Sequence, residues 1–210
     1  NVINNATTTS YLASSQGVYK LKFSDECHSF FSDPVNIKYK YTGNISVTDG
    51  KRCGKGEVIL TAKVDTGTIY WYKKDDLINP YAVDTDTIKL ELNQTTYFYV
   101  KTNLDGCEGP AMSVTANIYP LPDSTIYNND SICKNYISLC EDATIELYTN
   151  NNNNLYQWFA NDTAIEGATK NIYKASKPGV SYKVKIINLY KCQTTSIPIF
   201  FIGKKKPVIN

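Results

Sequence analysis

One spacing occurs twice in a chain with only two tryptophans and six cysteines. Cys53, Trp71 and Cys107 read C-x17-W-x35-C, and Cys140, Trp158 and Cys192 read C-x17-W-x33-C. The first interval is identical in the two segments, and the second differs by a length that loops absorb. Such a coincidence of rare residues implies copies of one module, which restricts the fold to something that works as a repeat.

The residues between these landmarks define the module. EVILTAKV (Glu57 to Val64), TIYWYKK (Thr68 to Lys74), TIKLEL (Thr87 to Leu92) and YFYVKTN (Tyr97 to Asn103) alternate apolar and polar positions, the period of half-buried strands. SVTANIYPLP (Ser113 to Pro122) is a closing strand that Pro120 and Pro122 stop. Downstream the same order returns as TIELYT, LYQWFA, KNIYKA, SYKVKIIN and SIPIFFI, from Thr144 to Ile202. Gly67, Asn79-Pro80, Asn93-Gln94 and Asp105-Gly106 punctuate the first set at the intervals of a sandwich.

A third copy lies at the amino terminus. VINNATTTSYLASSQGV (Val2 to Val18) matches AIEGATKNIYKASKPGV (Ala164 to Val180) at eight of seventeen positions without a gap. After one inserted residue YKLKF (Tyr19 to Phe23) matches YKVKI (Tyr182 to Ile186), Cys27 falls near Cys192, and PVNIKY falls on PIFFI. Residues 1–42 therefore read as the C-terminal half of a module, followed by full modules over 51–122 and 136–203. The front half is expected before residue 1, in a longer chain.

Composition agrees with an all-β class. Hydrophobic residues make up 42% of the chain, with 17 Tyr, many β-branched residues and one Met; aromatic and branched side chains suit a pleated surface. The expected architecture is tandem antiparallel β-sandwiches, two complete and one partial. A net charge of +2 gives no field that would attract nucleic acid or an anionic membrane. No stretch approaches the ~20 apolar residues of a spanning helix, so membrane insertion is not expected. NVINNATTTS lacks the basic and apolar regions of a signal peptide. The Lys204-Lys205-Lys206 run reads as an exposed linker.

A sandwich of this size is near the lower limit for an independent core, and disulfides commonly supplement such cores. Cys53–Cys107 and Cys140–Cys192 are the expected bridges, each at one end of its sandwich and worth about 4 kcal/mol from loop-closure entropy. Cys27 is expected to pair upstream of the chain. Cys133 is free, bonded outside the chain, or an alternative partner of Cys192. Cysteines at module edges rather than in CxxC pairs argue for disulfides over zinc, and so for an oxidising, extracellular location.

CGKGEVILTAKVDTGTIYWYKKDD, with TTYFYVKTNLDGCEGPAMSVTANI, resembles the bacterial Ig-like modules found in tandem in long surface proteins of the Bacteroidetes. LCEDATIELYT, LYQWFANDTAIEGAT and YKVKIINLYKC resemble a sister type from the same proteins. The similarity spans the chain apart from Lys40 to Gly50 and Asp123 to Asn135, which read as linkers. The resemblance implies export, often by type IX secretion, and roles in adhesins, gliding-motility proteins or spacers of surface enzymes. Its implied partners are neighbouring modules, surface glycans or proteins, and the secretion machinery. It also implies O-glycosylation acceptors in the motif Asp-(Ser/Thr)-(apolar or Thr), here Thr87, Ser124, Ser131 and Thr163. Sequons of the Asn-x-Ser/Thr type at Asn5, Asn44, Asn93, Asn129 and Asn161 read as compositional in a bacterial chain.

No catalytic residue, metal site or cofactor is expected. The one histidine, His28, adjoins Cys27, and adjacent residues on an extended strand point apart. Asp75-Asp76 and Asp84/Asp86 lack a calcium-loop pattern and read as turn residues. The tyrosines read mostly as core. The chain is thus expected to be a non-catalytic segment of an exported surface protein, a stalk or binding array. The alternative is an accessory region of a secreted enzyme. A eukaryotic Ig receptor fragment fits poorly, because Ig domains place their cysteines mid-strand around the tryptophan.

Overall fold

The computed structural model describes residues 2–129, 131–140, 142–150 and 153–205. The described residues hold strands and no helix. Lys206 of the basic run, and Asn151 and Asn152, lie outside them.

The chain opens with β1 (Gly17–Tyr19), β2 (Lys22–Ser24), β3 (Ser29–Phe31) and β4 (Val35–Ile37). β1 pairs with β4 and β2 with β3, giving a ribbon.

The first sandwich follows: β5 (Ile45–Thr48), β6 (Gly50–Cys53), β7 (Gly56–Val64), β8 (Thr68–Lys73), β9 (Ala82–Val83), β10 (Thr87–Leu92), β11 (Thr96–Leu104), β12 (Cys107–Glu108) and β13 (Met112–Tyr119). One sheet has the order β10-β7-β5 and the facing sheet β6-β13-β11-β8-β9. Between them Leu60, Trp71, Phe98, Val100 and Val114 are fully buried. Only Gly fits where the chain passes from one sheet to the other. A Cβ on Gly50 would lie 2.3 Å from Val58 Cγ1 and 2.5 Å from the Ile59 carbonyl oxygen.

The second sandwich repeats this plan with β14 (Tyr127–Asn128), β15 (Ser131–Ile132), β16 (Tyr136–Cys140), β17 (Ile145–Tyr148), β18 (Leu155–Ala160), β19 (Thr163–Ala164), β20 (Ile172–Ala175), β21 (Ser181–Ile187), β22 (Gln193–Thr195) and β23 (Ile199–Lys204). Its sheets are β15-β14-β17-β20 and β16-β23-β21-β18-β19. Leu147, Trp158, Val184, Ile186, Ile199 and Phe201 form its core, which shares no residue with the first. In both sandwiches a short N-terminal strand runs parallel to the last strand, β6 on β13 and β16 on β23. This is a tandem of Ig-like β-sandwiches.

The two tryptophans have equivalent surroundings. Trp71 pairs with Val100 across β8 and β11, and Trp158 with Val184 across β18 and β21. Each indole N–H donates out of the core to a backbone carbonyl, Thr85 at 2.8 Å and Lys170 at 2.9 Å.

The ribbon carries the same register. Tyr19 pairs with Val35 as Tyr182 pairs with Ile199, and Phe23 with Phe30 as Ile186 with Thr194. Its core-type side chains are uncovered, however: Leu21, Phe23 and Val35 are 52%, 51% and 59% exposed, whereas their counterparts Val184, Ile186 and Ile199 are buried.

Two expectations change. The stretches read as linkers contain strands: β5 lies within 40–50, and β14 and β15 within 123–135. The expected bridges Cys53–Cys107 and Cys140–Cys192 do not form; Cys53 is bonded to Cys192, with a Cα–Cα distance of 5.5 Å, and Cys107 and Cys140 are free thiols. The reason is geometric. Cys53 pairs with Tyr119, three residues past Ala116, the partner of Thr96, so it is level with Asn93. Cys107 pairs with Leu104, eleven residues further along. At ~3.4 Å per residue that is about 35 Å, far beyond disulfide reach. In the second sandwich the same count places Cys140, paired with Lys204, level with Lys177, eleven residues from Asn188 beside Cys192. The two cysteines of each module sit at opposite poles.

Candidate functional site

The poles are where the sandwiches offer chemistry and contacts, and the seam between them is the best-defined site. The first cysteine of a module stands at its trailing pole, where the last strand exits, and the second at its leading pole. The bridge therefore joins the trailing pole of the first sandwich to the leading pole of the second. Around it, Tyr119 and Tyr190 stack with centroids 4.6 Å apart and rings 12° from parallel. Asn188 Nδ2 donates to the Pro120 carbonyl at 2.7 Å, and its side-chain oxygen accepts the Tyr190 and Cys192 amides. The Gly54 amide donates to the Tyr119 carbonyl. Cys192 is fully buried here, and Pro122 of the connecting segment is also buried.

The leading pole of the first sandwich makes a related seam with the preceding segment. Thr102, fully buried, donates its hydroxyl to the Thr42 carbonyl. Lys40 pairs with Asp105 at 2.7 Å, in the loop that carries Cys107. Asp65 accepts the Tyr41 hydroxyl at 2.7 Å and the Asn44 amide at 2.8 Å. The Tyr41 hydrogen bond first, and the Asn44 amide second, hold the Asp65 carboxyl below the ordinary carboxylate range. In return the carboxylate pushes the Tyr41 phenol up.

The other candidates separate. Cys27 is exposed, and its amide and that of His28 donate to Asp25 Oδ1. His28 Nδ1 stands 3.7 Å from Asp25, and its ring lies against Phe30. Asp76 caps its own turn by accepting the Ile78 and Asn79 amides, and the Asn79 amide is the main cause of its lowered pKa. Asp84 and Asp86 line a shallow open cleft with Thr85, Val64, Gly67 and Ile69. Cys133 packs against the second core, and burial raises its thiol pKa. Among the described residues no group of three or more His, Cys, Asp or Glu is arranged to hold a metal ion.

Of the glycosylation candidates, Ser131 and Thr163 are exposed and Ser124 is half-buried. Thr87 opens β10 half-buried, its hydroxyl donating to Asp86.

Several tyrosines expected in the core lie outside it. Ile69 and Trp71 face inward on β8; Tyr70 and Tyr72 stack 6.5 Å apart on its other face, Tyr70 half-buried and Tyr72 buried with Lys101 over its ring. Lys73 lies over Tyr81 and Lys74 over Tyr97. Tyr81 and Tyr97, both exposed, depart from the expectation that the tyrosines are mostly core.

Residues 43–120 match the family described as "Ig-like domain CHU_C associated", with less than half of the chain inside the match. No curated protein matches the sequence significantly. Among solved structures, the fibronectin(III)-like modules of Clostridium thermocellum CbhA are 12% identical, covering 77% of this chain and 95% of that one at a TM-score of 0.37. Extracellular domains 3–5 of Drosophila OTK are 14% identical, covering 93% and 73% at a TM-score of 0.46. Murine CEACAM1b is 10% identical, covering 76% and 100% at 0.37.

Proposed function

We propose that this chain is a non-catalytic repeat segment of a large exported cell-surface protein of the Bacteroidetes type, acting as the stalk or binding array of an adhesin. The observation that carries this reading is the strand register, present once as an uncovered ribbon and twice as a closed sandwich. A ribbon whose core residues lie open is half of a module whose other sheet comes from elsewhere in the chain. The disulfide fits an oxidising compartment outside the cytoplasm. Neighbouring modules are the first partners, and the secretion machinery acts during export. The exposed rings of Tyr81 and Tyr97, topped by Lys73 and Lys74, are where a surface glycan or protein would dock. Ser131 and Thr163 are the best-exposed glycan acceptors, with Ser124 and Thr87 less open.

The test is antibody labelling of intact cells of the source organism, together with the sequence on either side of this segment. Surface labelling and further modules of this spacing are expected. Labelling only after permeabilisation, or a long non-repetitive catalytic domain next to the segment, would overturn the stalk reading. The second result would favour an accessory region of a secreted enzyme.

A further inference from the structure

The single bridge follows a rule that the repeat extends. It joins the first cysteine of one module to the second cysteine of the next. Cys140 is the counterpart of Cys53: each ends the short strand that runs parallel to the closing strand, paired to Lys204 and Tyr119 respectively. Cys107 is the counterpart of Cys192: each sits in the loop at the leading pole, closing against Leu104 and Asn188. Both Cys107 and Cys140 are exposed free thiols, about 35 Å from the other cysteine of their own module. The Cys107 loop also faces the chain arriving from the N-terminal side, through Lys40–Asp105 and Thr102–Thr42.

Resting on the array reading, we propose that consecutive modules are joined head to tail by one disulfide each, so that Cys140 and Cys107 are half-bridges for a like module on the C-terminal and N-terminal sides. Cys27, in the leading-pole loop of the ribbon, is a third half-bridge. Cys133 stands outside the rule, packed against the second core. The ligand of each exposed thiol is thus the opposite pole of another module of this type.

Bridge formation needs an oxidant, which is an external disulfide, either a dithiol oxidase or a small disulfide. A thiolate of one module attacks it, forming a mixed disulfide and releasing one donor thiolate. The thiolate at the facing pole then displaces the remaining donor sulfur. Two module thiols lose two protons and two electrons in sum, and the donor disulfide leaves as two thiols.

The test is non-reducing peptide mapping of the native full-length protein, alkylated before lysis, beside its Cys53→Ser variant. In the native protein Cys53 is expected on the Cys192 peptide, and Cys107, Cys140 and Cys27 on peptides from outside this segment. In the variant, Cys192 is expected as a free thiol, captured by a second alkylation under denaturing conditions, because Cys140 is at the far pole. If like modules flank the segment but Cys107 and Cys140 are alkylated, or Cys192 switches to Cys140, the ladder is overturned while the array stands. If no such modules flank it, both readings fall.

Discussion

Trp71 and Trp158 are fully buried, yet each keeps its indole N–H satisfied on a carbonyl at the edge of the core. Replacing either by Phe removes that bond and leaves a void, at a cost of about 1–3 kcal/mol. Because the two cores share no residue, each substitution should lower the unfolding transition of its own sandwich only. Denaturant unfolding followed by circular dichroism checks this, and a shift of both transitions together would refute independent cores. A second residue-scale prediction concerns Asp65. Its folded-state pKa is depressed, so its contribution is present above the unfolded value of ~3.9 and lost as pH falls through the lower, folded value. Tyr41 acts in the opposite sense: its raised pKa gives a contribution that is complete below ~10 and lost as pH rises through the folded value. An NMR titration of the Asp65 carboxyl should find its midpoint below the ordinary value, moving upward in Tyr41→Phe. An unmoved midpoint would show that the Tyr41 hydroxyl is not what holds the carboxylate.

At the scale of elements, the crossing at Gly50 sets how closely the two sheets of the first sandwich approach. Gly50→Ala pushes a methyl group into Val58 and the Ile59 carbonyl, a backbone atom that cannot rotate away. The expected loss is about 1–3 kcal/mol, read from the first unfolding transition; an unchanged transition would mean that the crossing relaxes freely. The long strands were legible in the sequence because alternation is uninterrupted there: β10 (Thr87–Leu92) and β18 (Leu155–Ala160) occupy the residues that the pattern marks. β5, β14 and β15 were not, since each offers at most four residues between turn-forming Asn, Asp and Gly. The bridge was missed for a related reason. Four alternating strands between Cys53 and Cys107 return the chain to the pole where it began. The structure contains a fifth traverse, the return through β9, which pairs antiparallel with β8 at Tyr70 and Trp71. That traverse is only two strand residues long, and it changes an even count to an odd one. Cysteine spacing picked out Cys53 and Cys192 as bridged residues, but which cysteines could meet depended on this parity.

For the whole molecule, the seam decides whether two sandwiches behave as beads on a string or as one unit. Without its disulfide, the seam retains the Tyr119–Tyr190 stack, worth about 0.5–1.5 kcal/mol, and the Asn188–Pro120 hydrogen bond, worth about the same. Against these stands the backbone entropy regained by Pro120, Leu121 and Pro122, ordinarily about 1–2 kcal/mol per residue and less here because two of the three are prolines. The terms nearly cancel, so the covalent bond fixes the angle between modules and the aromatic stack only refines it. Small-angle scattering should therefore show a single narrow arrangement for the oxidised protein and for Tyr190→Ala. Cys53→Ser should broaden the distribution, and the double substitution should broaden it further. The unfolding transitions of both sandwiches should move little in Cys53→Ser, because Trp71 and Trp158 lie in cores that the bridge does not enter. A narrow distribution that survives the double substitution would place the rigidity in the prolines instead of the bridge.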